Sequence, residues 1–106
     1  MIELRHLFAD LPAASPSGEV FETLLEKGGV KIERIVSHSA ASPEGFWYDQ
    51  EQDEWVLVVK GAATLCFEPD ERIELKAGDH VVIPRHVKHR VAWTSEETIW
   101  VAVHVG

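Results

Sequence analysis

A chain of 106 residues, 45% hydrophobic and 26% charged, has the size and composition of one globular domain. Eighteen acidic residues against ten Lys and Arg leave a net charge of −8, which argues against nucleic acid and anionic membrane as partners, since both call for a dense cationic surface. No apolar stretch is long enough to span a bilayer, MIELRHLF lacks the pattern of a secretion signal, and the one cysteine cannot form an internal disulfide, so the expected location is cytoplasmic.

Residues 1–18 read as an N-terminal arm, with the one helix candidate around Glu3–Asp10 and then the loop LPAASPSG. Residues 19–106 read as a single domain of short strands. Val20–Leu25 and Val30–Ser37 flank Lys27-Gly28-Gly29, a hairpin turn. After the loop HSAASPEG come Phe46–Asp49, Trp55–Lys60, Ala62–Glu68, Arg72–Leu75, His80–Ile83, Val87–Thr94 and Thr98–Val105. Cys66, within ATLCFE, reads as a small buried hydrophobe. This spacing predicts an all-β sandwich or barrel. WVLVVK (Trp55–Lys60) has no polar face and must be covered on both sides. Its second cover is another subunit, which makes a homodimer, or else residues 1–18 or the first hairpin of the same chain.

The most informative stretch is GDHVVIPRHVKH, Gly78–His89. Gly78-Asp79 fits a tight turn, Val81–Ile83 a short buried strand, and Pro84 its end. The following strand alternates, with Val87, His89, Val91 and Trp93 facing inward and Lys88, Arg90, Ala92 and Thr94 facing water. His89 is thus expected among hydrophobes, and Trp93 beside it either walls or plugs a pocket. In FWYDQEQDEW an extended chain puts Phe46, Tyr48, Gln50, Gln52 and Glu54 on one face, and Glu54 continues in register with Val56 and Val58.

Glu54 is followed after six residues by Gly61, and Gly78 after five by Pro84 and then His89. Those spacings resemble the two motifs of the cupin superfamily. The first motif is a glycine, a His-x-His pair, a glutamate and a glycine. The second is a glycine, Pro-x-Gly and a histidine. The resemblance implies a small antiparallel jelly-roll barrel, often dimeric, with a divalent metal inside held by the paired histidines, the glutamate and the last histidine. Here Tyr48 and Gln50 stand where the histidine pair belongs, His86 where the second motif has glycine, and Trp93 where asparagine is frequent. His104 is the outside candidate for a missing ligand, although parity leaves open whether Trp100, Ala102 and His104 or Ile99, Val101 and Val103 look inward.

The expected site is therefore Gln50, Glu54, His89 and His104 around Zn, Fe, Mn or Ni, acting on a small organic molecule, with Tyr48, Glu54 and His89 as the catalytic groups. A metal-free binding pocket, in which Glu54 and His89 simply pair, is the alternative, as is a dimeric interaction module that docks a partner through its tryptophans. His86 reads as exposed, and His6, His38 and His80 carry no signal.

Overall fold

The computed structural model describes residues 1–106 and contains eight strands and no helix. These are β1 (Glu19–Lys27), β2 (Val30–Ser37), β3 (Asp53–Lys60), β4 (Ala62–Phe67), β5 (Glu71–Lys76), β6 (His80–Ile83), β7 (His89–Thr94) and β8 (Thr98–Val105). They pair antiparallel throughout, in a five-stranded sheet ordered β1-β2-β8-β3-β6 and a three-stranded sheet ordered β5-β4-β7. Ile35, Val56, Val58, Trp100 and Ala102 of the first sheet pack with Ala63, Leu65, Phe67, Leu75 and Val91 of the second in one core. The two sheets are not joined by pairing along their edges, so the expected barrel does not close. None of the chain forms a helix long and apolar enough to cross a membrane.

Gly61 explains the first motif's glycine. The chain leaves one sheet for the other here, at a φ of 85°, and an added Cβ would lie 2.6 Å from the Glu97 carbonyl and from Ser95 Oγ. Gly78 serves the β5–β6 turn at a φ of 96°. Its N–H donates to the Val58 carbonyl (2.7 Å), and Asp79 Oδ2 accepts from the Lys76 N–H (2.9 Å).

Three local expectations are corrected. No helix forms at Glu3–Asp10; the segment makes only a turn at Leu7–Phe8 and is tied instead to Arg34 of β2. Its guanidinium donates to Leu7 (3.0 Å), Ala9 (2.7 Å) and Asp10 (3.4 Å), and also pairs with Glu22 (3.0 Å). Phe46–Asp49 is not a strand; only Tyr48 pairs, as a single bridge to His89. The strict alternation through Thr94 also breaks. Leu65 pairs with Val91 while the adjacent Thr64 pairs with Trp93, so Ala92 is an extra residue and a β-bulge. Beyond it the faces exchange, leaving Trp93 50% exposed and Thr94 1% exposed, its Oγ1 held by the Ala40 N–H at 2.7 Å. Trp93 therefore neither walls nor plugs the interior.

The second face of β3 stays partly open, and the arm lies against β2 instead. The arm is tied to β2 through Arg34 and lies near its end through Pro12, whose carbonyl is 3.2 Å from His38 Nε2. Trp55, Leu57 and Val59, on the outer side of β3, stay partly exposed, and Val82 beside Trp55 is exposed.

Candidate functional site

The loop before β3 is laid along the start of β7 by backbone bonds. Tyr48 N–H donates to the His89 carbonyl (2.7 Å), His89 N–H to the Tyr48 carbonyl (3.1 Å), and His86 N–H to the Gln50 carbonyl (2.8 Å). His86 makes that last bond from a left-handed conformation, at a φ of 62°, which is why the family's glycine suits this position. Its own side chain turns outward to Asp49, with Nδ1 2.7 Å from Oδ1. Tyr48 and Gln50 are thereby suspended over the gap between the sheets. Glu54 from β3, His89 from β7 and His104 from β8 enter the same gap, so the structure brings all five predicted site residues to one cavity.

This cavity measures about 90 Å³ and is walled by Ile35, Val56, Leu65, Ile83, Val91 and Trp100. Its rim holds Glu19, Phe21 and Tyr48, of which Phe21 is exposed and the other two are half-buried. Glu54, His89 and His104 are 8%, 5% and 9% exposed, and parity had left the direction of His104 open. Register decides it, because His104 pairs directly with Glu54 across β3 and β8.

The polar groups fall into two sets. In the first, all hydrogen-bonding is internal. His104 Nε2 lies 2.8 Å from Glu33 Oε1, whose other oxygen is 3.5 Å from Lys31 Nζ. Trp100 Nε1–H donates to Ser37 Oγ (3.0 Å), and the Ser37 hydroxyl donates to Glu19 Oε2 (2.7 Å). The second set is bare. His89 Nδ1 is 2.9 Å from the Val87 carbonyl, an acceptor only, so Nδ1 carries the proton and Nε2 of the neutral ring presents a lone pair to the cavity. Glu54 makes no hydrogen bond; its oxygens lie 3.7 Å from His89 Nε2 and 3.9 Å from His104 Nε2. Gln50 Oε1 is buried without a partner.

Burial governs the titration of this second set. It raises Glu54, while the His104 charge lowers it and Glu33 raises it further. It lowers His89, opposed by the bond to Val87. Tyr48 is raised by burial and by the carboxylates of Glu19 and Glu54, and its hydroxyl stays protonated at neutral pH. Glu19 is raised by burial against the Ser37 hydroxyl. Tyr48 also stacks on the His89 ring, with centroids 5.5 Å apart and planes at 26°.

Glu33, Glu19, Ser37 and Trp100 were missed as polar members of the site. Glu33 sits in VKIERIVS, where both faces mix apolar and charged residues, and only its position across from β8 shows that it meets His104. The paired histidines that the resemblance implies as metal ligands are absent. Tyr48 and Gln50 occupy the paired-histidine positions, Glu33 engages His104, and no three His, Cys, Asp or Glu side chains gather closely enough to hold an ion.

The family model described as "Cupin domain" matches residues 23–105. Among solved structures, a Ralstonia eutropha protein described as a candidate mannose-6-phosphate isomerase is 50% identical, with a TM-score of 0.91 over 98% of both chains. A cupin superfamily protein from Desulfitobacterium hafniense is 18% identical, with a TM-score of 0.78 over 99% of this chain and 93% of its own. A cupin of double-stranded β-helix fold from Methanocaldococcus jannaschii is 24% identical, with a TM-score of 0.74 over 99% and 92%. These last two share the fold alone. No curated protein matches the chain.

Proposed function

The chain belongs to the cupin-domain family, and on that scaffold we propose that the cavity between its sheets binds a small organic molecule and moves a proton on it with Glu54 and His89. One observation carries the reading. A bare carboxyl and a bare imidazole nitrogen face each other at 3.7 Å in a sheltered, mostly apolar cavity. Burial pushes the acid up and the base down, which draws their proton affinities towards each other and suits the pair to pass a proton through a molecule bound between them. Glu54 is the acid–base group and His89 its partner. Tyr48 supplies a hydroxyl donor at the rim and Gln50 an acceptor.

The Ralstonia relative's description supports the proton-moving half of this reading, because an aldose–ketose isomerisation shifts a proton between neighbouring carbons. A phosphate ester finds less support, since no Lys or Arg lines the cavity. The test is a fragment screen read by the imidazole NMR signals of His89, followed by incubation of each hit in D2O. Enzyme-dependent deuterium uptake that falls about 100-fold in Glu54→Gln is expected. Hits that bind without exchange would reduce the site to a binding module, and a screen with no hit in the cavity would end the reading.

A divalent ion is the competing occupant, favoured by the three bare acceptors on Gln50, Glu54 and His89. Calorimetric titration of chelator-treated protein with Zn²⁺, Fe²⁺, Mn²⁺ and Ni²⁺ decides it, since stoichiometric uptake abolished by Glu54→Gln would install the metal. The partly exposed strip of Trp55, Leu57, Val101 and Val103 supports a homodimer through the outer face of β3 and β8, which sedimentation equilibrium tests.

A further inference from the structure

The chemistry of the occupant follows from which hydrogen-bonding roles the cavity leaves unfilled. The bare groups named above are all acceptors in the state described: Gln50 Oε1, the Glu54 carboxylate and His89 Nε2. Side-chain exposure of Glu54 is only 9%, so water reaches it little, and a carboxylate buried without a donor is strongly disfavoured. The Tyr48 hydroxyl bonds none of the three acceptors, so their donors must come from the ligand. Lining charge has one dominant sign, with carboxyls of Glu19, Glu33 and Glu54 and no Lys or Arg. Lys31 meets Glu33 from outside the lining and leaves Glu54 unanswered. Aromatic faces stand at the same place, with Tyr48 and Phe21 at the rim and Trp100 in the wall. A π-face beside an unpaired carboxylate in an apolar pocket is an environment that favours an organic cation over a neutral molecule of equal size.

From this juxtaposition we infer that the cavity selects a protonated amine, its ammonium N–H groups held by Glu54, Gln50 and His89 Nε2 and its carbon skeleton between Tyr48 and Trp100. The inference rests on the cavity being a small-molecule site and adds the class of molecule. At about 90 Å³ the half-open cavity takes a head group of a few non-hydrogen atoms, with any longer substituent leaving past Phe21. An anionic ligand is disfavoured at the same position, because the carboxylates repel it and no cation answers it.

Titration of the folded protein with n-propylammonium, 1-propanol and inorganic phosphate, followed through the His89 imidazole signals, tests the assignment. The ammonium is expected to bind at least tenfold more tightly than the isosteric alcohol, and phosphate to leave the signals unmoved. Glu54→Gln, which keeps shape and removes charge, should erase the tenfold preference, and Tyr48→Leu should weaken the ammonium about fivefold with the carboxylate intact. Alcohol binding as tightly as ammonium, phosphate displacing either, or a preference that survives Glu54→Gln would overturn the inference. Neutral fragments that bind while ammonium does not would sink the cation preference alone and leave the acid–base reading standing. If no fragment and no ammonium perturbs His89, both fall together.

Discussion

His89 and His104 lie on strands of opposite sheets and are almost equally buried, at 5% and 9% exposed, yet their hydrogen bonding is opposite. His104 Nε2 has a carboxylate at 2.8 Å and belongs to a satisfied network anchored on β2. His89 is held by its Nδ1 alone, and Nε2 faces a carboxyl at 3.7 Å, beyond hydrogen-bonding reach. His104 is thus a satisfied structural group, while the chemistry proposed above falls to His89, whose second nitrogen is unanswered. Burial by itself does not distinguish the two.

Removing the answer on the β2 side should have the largest effect on folding. Glu33→Ala strands His104 in the core and should cost about 3 kcal/mol, read as a lower urea midpoint with unchanged slope. His89→Ala should cost less, about 2 kcal/mol, from lost contact with Tyr48 and Phe67 and the bond to Val87, yet abolish ligand binding that Glu33→Gln only weakens. Equal stability losses with equal binding defects would erase the contrast between the two histidines.

Glu54→Gln should stabilise the protein at neutral pH by about 1 kcal/mol, because the charge it removes is buried and unpaired. Since the folded state raises Glu54, its favourable contribution is full below the ordinary glutamate range and lost as pH rises through the elevated value, so the variant's advantage should grow with pH. His89 runs the other way. Its folded value is depressed, and its contribution is full above the ordinary histidine range and lost as pH falls through the lower value. The stability gap between wild type and His89→Ala should therefore narrow on acidification; a gap independent of pH would mean that His89 is not held neutral. The smallest effect belongs to Tyr48→Phe, which should change stability by no more than about 0.5 kcal/mol while removing the donor at the rim.

Much of this could be read from residues alone where local chemistry rules. Gly61, Gly78 and Pro84 mark places where the backbone turns or stops pairing, and period-two alternation carried Glu54 and His89 to the interior. Alternation failed at Ala92, because one extra residue reverses every face beyond it, and nothing in HRVAWT announces the bulge. It was silent on His104, whose strand is apolar on both sides. The arm is a further case, since the one helix candidate, around Glu3–Asp10, is not helical and presents its Leu7 and Ala9 carbonyls to a guanidinium on a strand some 25 residues away.

The amino-acid order alone set the all-β class, the turns, and the inward course of residues 54 and 89, since each depends on φ/ψ preference and hydrophobic period within a few neighbours. Which imidazole is satisfied and which is left with an open lone pair was settled only when β2, β8 and β3 came together in register. Cross-strand partners are distant in the chain, and the hydrogen bond that separates the two histidines exists only once that pairing has formed.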